Sequence, residues 1–323
     1  QREGERERKS MASSSSISSL LRGAVLVAVL FLSSVSCSRP NPNKHHNHHH
    51  LPWESFQKLS GCHLGDHRAG LAHLKQYLNR FGYLPATAPA KFSDDFDHQL
   101  ESAIVAYQHA FHLNATGALD TSTLAFMATP RCGVADDFNR TGPWKLARGR
   151  TLYTYFDGKP TWPPSKRHLT YAFTSHSVIS PSLRGLFSRA FARWSAVTTL
   201  SFSEVSSGGA VDVTIGFYSR DHGDVRGFDG MGGVLAHAFA PTDGRLHIDR
   251  EEEWVVEGDV TTSSSANAMD LESAVVHEIG HILGLGHSNV NEAIMYPSIA
   301  SRTRKVQLAN DDIAGIQSLY GSN

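Results

Sequence analysis

Residues 277–287 read HEIGHILGLGH, from His277 to His287, which is the pattern HExxHxxGxxH. His277 and His281 are four residues apart, so on a helix they project from the same face and can bind one metal ion. Gly284 can adopt the backbone conformation that ends the helix and turns the chain, which lets His287 supply a third nitrogen. Three neutral imidazoles leave one tetrahedral position for water, the arrangement of a catalytic zinc site.

Glu278 follows the first of these histidines, where its carboxylate can reach that water. Zinc lowers the pKa of bound water towards about 7, so Glu278 can accept the proton while the water attacks a carbonyl carbon. A bare HExxH arises by chance, but Gly284 and His287 at fixed offsets make chance improbable. The pattern therefore predicts hydrolysis at a zinc ion with Glu278 as the general base.

A methionine follows this pattern, in the sequence AIMYP at residues 293–297. HExxHxxGxxH with such a methionine turn is typical of the metzincins. By this resemblance Met295 is a hydrophobic floor beneath the metal and not a ligand. Within the metzincins the chain resembles the matrixins, the matrix metalloproteinases, from about Trp53 to its end. The resemblance implies a secreted zinc endopeptidase that cleaves extended polypeptides of the extracellular matrix or apoplast.

Residues 130–136, the switch segment, read PRCGVAD and resemble the matrixin cysteine-switch motif PRCGxxD. A thiolate is an excellent zinc ligand and can occupy the fourth position. Because the thiolate is tethered at an effective concentration of about millimolar, this contact needs no unusual affinity. The resemblance implies a latent zymogen in which Cys132 binds the catalytic zinc and Arg131 pairs with Asp136. An oxidising compartment alone would favour a Cys62–Cys132 disulfide; the switch leaves Cys62 without a role.

The resemblance also implies a second, structural zinc ion and at least one calcium ion. Three histidines and one aspartate close a tetrahedron without a water position; the matching residues are His222, Asp224, His237 and His247. Hard oxygen ligands suit calcium. They would be side chains of Asp229, Asp249 and Glu252 and carbonyls of Gly230, Gly232 and Val234. Asp212 matches a ligand of a second calcium site, although Arg245 stands where matrixins often have another aspartate.

The 323 residues suggest about two domains of ordinary size. Residues 1–37 are predicted to be a secretory signal peptide, in which the residues before Met11 are translated from upstream of the true start. The apolar run within this segment is shorter than the roughly 20 residues that a membrane span needs. Residues 38–52 are a His- and Pro-rich linker, 53–136 a helical propeptide, 137–150 an exposed connector open to an activating protease, and 151–323 the catalytic domain.

Apolar periodicity predicts three helices in the propeptide, which resembles a peptidoglycan-binding-like fold. The marking residues are Leu71, Leu74, Leu78 and Phe81, then Leu100, Ile104, Tyr107 and Phe111, with Asp120 as the N-cap of a last helix. Beyond residue 150 the pattern predicts an α+β domain with a mixed twisted sheet and three helices. Its strands are 169–173, 200–205, 211–217 and 234–239, and its helices are 183–194, 270–283 and 311–320.

The composition limits the partners. With 30 Lys and Arg against 31 Asp and Glu, the net charge of −1 gives no electrostatic support for nucleic-acid binding. We expect a monomer without a transmembrane segment in the mature chain and without a C-terminal propeller, as in plant matrixins. We also expect glycans at Asn114 and Asn139.

The substrate would pair with an edge strand at residues 233–239. Family analogy suggests that the N-terminal ammonium created by activation pairs with Asp311 or Asp312. Two alternatives stay open: an extracellular wall- or glycan-binding module, and a catalytically inactive zinc-stabilised protein.

Overall fold

The computed structural model describes residues 53–85, 91–136, 153–174, 179–206, 209–224 and 227–323. The predicted signal peptide, the His-rich linker, the connector and Asn139 lie outside these residues. Among the helices in the described ranges, none is long and apolar enough to cross a membrane.

Three helices form the N-terminal unit, as the periodicity predicts: α1 Leu71–Arg80, α2 His98–Ala110 and α3 Thr121–Met127. A 3₁₀ helix, Glu54–Leu59, precedes them. The Asp120 side chain accepts a hydrogen bond from Thr123 N at 2.8 Å, so it caps α3 as expected. Buried aromatic rings hold the helices together; Tyr77 and Tyr107 pack edge to face with ring centroids 6.2 Å apart.

Ten strands are present in the described residues. They are β1 Arg131–Cys132, β2 Tyr153–Tyr155, β3 His168–Phe173, β4 Ser201–Glu204, β5 Val213–Tyr218, β6 Val234–Ala238, β7 Arg245–Asp249, β8 Trp254–Val255, β9 Met269–Asp270 and β10 Leu285–Ser288. Six of them form one mixed sheet in the order β1-β6-β7-β5-β3-β4. Within this sheet, β6 and β7 run antiparallel, and every other pair of neighbouring strands is parallel. The four predicted strands correspond to β3–β6, and β7 was not predicted.

Three helices complete the C-terminal α+β unit, as predicted: α4 Pro181–Ser195, α5 Leu271–Ile282 and α6 Asn310–Tyr320. Helix α5 is central, because all twelve of its residues are buried. The indole Nε1 of Trp194 on α4 donates to Val276 O on α5 at 2.9 Å. This packing fixes the position of α5 beneath the sheet edge that carries β1 and β6.

Candidate active site

The three histidines of HExxHxxGxxH come together at the end of α5. His277 and His281 lie one turn apart on the helix, with their Nε2 atoms 3.1 Å from each other. Gly284 then takes a left-handed conformation with φ of +100°, which a side chain would strain. The reversed chain forms β10 and brings His287 Nε2 to 3.2 Å from His281 Nε2. Strand β2 pairs with β10 and Thr154 Oγ1 donates to His287 O at 2.7 Å, a contact that the sequence did not predict.

The Nδ1 atoms of the three rings determine their orientation. His277 Nδ1 lies 2.7 Å from Ile294 O, and His281 Nδ1 lies 2.8 Å from Leu285 O. Because a carbonyl oxygen only accepts, these Nδ1 atoms carry the protons and the Nε2 lone pairs face one another. Burial lowers the pKa of His277 and of His281 well below the usual value, so both are neutral. This set of neutral, converging nitrogens fits a zinc ion.

The Cys132 thiol completes this cluster. Its Sγ lies 3.4 Å from His281 Nε2, and the four potential ligand atoms are all within 4.8 Å of one another. Strand β1 places it there through backbone hydrogen bonds on both sides: Arg131 N donates to Gly233 O at 2.9 Å, and Cys132 N donates to Pro297 O at 2.9 Å. Burial, and then the nearby Glu278 carboxylate, raise the pKa of the Cys132 thiol well above its usual value. A bound cation would supply the charge that a thiolate needs here.

Arg131 and Asp136 form the ion pair that the resemblance implied. Arg131 Nη2 lies 2.5 Å from Asp136 Oδ1, and neither side chain is exposed to solvent. The guanidinium also lies 3.7 Å from the ring centroid of Phe81, and Tyr83 Oη donates to Asp136 Oδ2 at 2.9 Å. The switch segment is therefore anchored by the N-terminal helical unit. Cys62 and Cys132, the two cysteines in the described residues, are both free.

Glu278 lies on α5, and Met295 packs against this helix. Glu278 is buried, its Oε2 has no hydrogen-bond partner, and burial raises its pKa to about 8. Met295 lies under α5, and its Sδ would overlap a Cβ placed on Gly280. A narrow pocket opens beside Glu278 and His277 and reaches Ile299. A base, a cluster of metal-binding donors and an adjoining pocket are the parts that metal-assisted hydrolysis requires.

Known proteins resemble this chain in sequence. Residues 161–321 match the family described as Matrixin, and residues 67–127 match that described as "Putative peptidoglycan binding domain". The chain is 48% identical over 286 residues to Metalloendoproteinase 2-MMP of Arabidopsis thaliana, which covers 84% of this chain and 76% of the relative. It is 45% identical over 303 residues to Metalloendoproteinase 1 of Glycine max, and this match covers 93% of the chain and 97% of the relative. The chain belongs to the matrixin family. This matrixin is a metalloendopeptidase, an enzyme that cleaves internal peptide bonds.

The second predicted zinc cluster is also assembled in this matrixin. Asp224 Oδ2 lies 2.9 Å from His222 Nε2, 2.7 Å from His237 Nε2 and 2.9 Å from His247 Nδ1. Separations of roughly 3 Å are those expected between tetrahedral ligands that each lie about 2 Å from one ion. Burial lowers the pKa of His237 to about 4, so this ring too is neutral. The cluster suits a structural metal, since its four donors leave no ligand position for water.

The predicted calcium ligands include three carboxylates, of which those of Asp249 and Glu252 are buried and that of Asp229 is partly buried. One oxygen of each, Asp229 Oδ2, Asp249 Oδ2 and Glu252 Oε2, is buried and lacks a hydrogen-bond partner. Burial raises the pKa of Asp249 to about 6 and that of Glu252 to about 8, and it also raises the pKa of Asp229. Orphaned buried oxygens of this kind fit a divalent cation.

Four other predicted residues lie elsewhere. Asp212 forms an ion pair with Lys166 and accepts a hydrogen bond from Thr170 N at 2.8 Å, an arrangement that does not support a second calcium site. Asp312 is buried and accepts backbone hydrogen bonds from Ile294, Met295 and Ala309 at 2.7–3.0 Å. Asp311 accepts from Ser288 Oγ at 2.6 Å. Asn114 is exposed.

Proposed function

We propose that this matrixin is a secreted zinc endopeptidase made as a latent zymogen, with the Cys132 thiolate on the catalytic zinc. The observation that carries the proposal is the convergence of Cys132 Sγ with the Nε2 atoms of His277, His281 and His287. A four-residue set of one thiol and three imidazoles has the composition of a closed zinc site. A closed site leaves no position for water, so the latent form should be inactive.

The catalytic residues act once Cys132 has left. His277, His281 and His287 would hold a zinc ion, which when bound would supply a Lewis acid for the scissile carbonyl and the attacking water. Glu278 accepts a proton from that water on its carboxylate as the new carbon–oxygen bond forms. It then gives the proton to the leaving amine as the carbon–nitrogen bond breaks. General-base help of this kind is typically worth about 10² to 10⁴ in rate.

An extended polypeptide is the substrate that suits the sheet edge. In the latent form β1 occupies the outer edge of β6, where Gly233 O and Ala236 O accept from Arg131 N and Gly133 N at 2.9 Å and 2.8 Å. The same acceptors become free to bind a substrate strand when the switch segment departs. Pairing of this kind depends on the backbone of the substrate, so the adjoining pocket would select its side chains.

The remaining parts of the proposal concern maturation. Residues 1–37 direct secretion, and cleavage by another protease within 137–150 removes the propeptide 53–136 from the catalytic domain 151–323. The structural zinc at His222, Asp224, His237 and His247 and a calcium ion at the three-carboxylate cluster stabilise the catalytic domain. Asn114 and Asn139 carry glycans, and the mature enzyme acts as a monomer.

Two variants of the full chain test the proposal. Cys132→Ser removes the thiolate and is expected to cleave a quenched peptide library without prior proteolysis, while the uncleaved wild-type chain does not. Adding Glu278→Gln to Cys132→Ser should lower the rate by about 10² to 10⁴ while two zinc ions per chain are retained. Equal rates with and without Glu278→Gln would indicate a contaminating protease, and no cleavage by zinc-loaded Cys132→Ser would refute the proposal.

A glycan-binding role for the helical unit is a second candidate, because residues 67–127 match a peptidoglycan-binding family. In the latent form Phe111 and Phe126 of this unit pack against Tyr296 near the active site, with ring centroids 5.9 Å and 6.3 Å apart. That face is therefore occupied by an internal contact. Sedimentation of the full chain with insoluble peptidoglycan tests the role; retention above that on a cellulose control would support it.

A further inference from the structure

The three histidines of the proposed zinc site differ in the group that accepts a hydrogen bond from Nδ1, the ring nitrogen that points away from the metal. His277 and His281 donate from Nδ1 to the backbone carbonyls of Ile294 and Leu285, both in the catalytic domain. His287 Nδ1 instead donates to Asp136 Oδ1 at 2.7 Å. Asp136 belongs to the switch segment, 151 residues earlier in the chain. One of the three ligands is thus oriented by a charged group that departs on activation.

Asp136 is held rigidly for this contact. Its side chain and that of His287 are fully buried. Asp136 accepts from Arg131 Nη2 at 2.5 Å and from Tyr83 Oη at 2.9 Å, and its backbone N donates to Phe81 O at 3.0 Å. The two hydrogen bonds to the carboxylate and the one from the backbone hold the side chain in the orientation that presents Oδ1 to His287. Arg131 supplies the opposite charge that a buried carboxylate requires.

A carboxylate that accepts from a ligating histidine fixes the orientation of the ring and increases its basicity towards the metal, and its loss typically costs 10- to 100-fold in metal affinity. We propose that Asp136 is a positioning residue of the latent metal centre, which the propeptide stabilises twice: directly through Cys132 and indirectly through Asp136 and His287. The inference rests on the proposed zinc site and adds a second function to the switch segment. Departure of the propeptide then opens a coordination position and also weakens the hold of the enzyme on its catalytic zinc.

The test uses the full chain in a Cys132→Ser background, so that the thiolate contributes to neither protein compared. Asp136→Asn keeps the shape of the side chain and an oxygen acceptor but removes the charge. Competition with a chromophoric zinc chelator resolves the two zinc ions of each chain, and the ion at His222 serves as an internal reference. We expect Asp136→Asn to lower the zinc affinity of one site 10- to 100-fold and to leave the zinc affinity of the other site unchanged. The Nδ1 proton of His287 should also move to higher field in the proton NMR spectrum.

Tyr83→Phe is the matched control, because it removes one hydrogen bond to Asp136 but leaves the contacts with Arg131 and His287. It should change the zinc affinity by less than about threefold, well under the effect of a lost carboxylate. Equal chelator competition with and without Asp136→Asn would overturn the inference, as would equal weakening of both zinc ions. These results differ from failure of the proposed function, in which zinc-loaded Cys132→Ser has no peptidase activity.

Discussion

Replacing Gly133 by alanine measures how closely the switch segment fits against β6. A Cβ at this position would lie 2.7 Å from Val234 Cγ1 and 3.3 Å from His237 Cβ. Favourable carbon–carbon separations are about 3.5–4.0 Å, so the added methyl group overlaps Val234. Val234 is fully buried and β-branched, so its χ1 is restricted and it has little freedom to move away from the added methyl group.

Overpacking of this kind costs about 1–3 kcal/mol. The cost falls on the docked switch alone, because the methyl group meets solvent once the segment has left β6. We therefore expect the population of undocked switch to rise about 5- to 150-fold, at roughly 1.4 kcal/mol per factor of ten. The basal peptidase activity of the uncleaved chain and the alkylation rate of Cys132 should both rise by this factor. Alkylation is assigned to Cys132 rather than Cys62 by peptide mass mapping.

Val234→Ala supplies the matched control, since it removes the atom that the new methyl group meets. In a double-mutant cycle, Gly133→Ala should weaken docking of the switch segment by at least about 1 kcal/mol less in the Val234→Ala background than in the wild type. Alkylation of Gly133→Ala at the wild-type rate would refute the packing argument. So would an equal cost in the two backgrounds, because the strain would then lie elsewhere.

Three further predictions concern the catalytic domain. In an activated enzyme Glu278→Gln should lower kcat/KM by about 10² to 10⁴ with unchanged zinc content, and a loss below tenfold would remove Glu278 as the base. Burial alone would raise the pKa of Glu272, but hydrogen bonds from three arginines lower it to about 2. Glu272→Gln should therefore lower the free energy of unfolding, measured in urea at pH 7, by about 1–3 kcal/mol, a figure already discounted for the exposure of the arginines. This loss should shrink as the pH falls from about 4.5 towards 2, because the carboxylate of Glu272 becomes protonated in that range. A loss that does not change with pH would contradict the prediction. Adding millimolar calcium to calcium-free, zinc-loaded enzyme should raise the thermal midpoint by about 5–10 °C, and no shift would argue against the calcium site.

The convergence of His277, His281 and His287 could be predicted from the sequence because their geometry is local. A spacing of four residues on a helix places His277 and His281 on one face whatever the rest of the fold does. The turn after the helix depends on Gly284, which also lies within the same eleven residues. The six helices were found for a similar reason, since the apolar positions of an amphipathic helix repeat within a short window.

Strand β7 could not be predicted in this way. Its sequence, RLHID at residues 245–249, carries a histidine and an aspartate that are buried among metal-binding groups. Those polar side chains interrupt the apolar pattern by which a buried strand is recognised. The contact of Asp136 with His287 and the three arginines around Glu272 were also missed, because such pairs form between distant segments and leave no periodic signal.

The short strand β1 has a consequence for the enzyme after activation. Strand β1 has two residues, Arg131 and Cys132, and together with Gly133, whose N donates to Ala236 O, it covers the outer side of β6 in the six-stranded sheet. When they leave, β6 presents unpaired N–H and C=O groups to solvent, and an open sheet edge pairs with any extended chain, including another copy of the same enzyme. On the proposed route of activation, the propeptide would also shield the protein from self-association. We expect activated enzyme without substrate to aggregate and digest itself sooner than the zymogen, and a peptide bound along β6 to protect it.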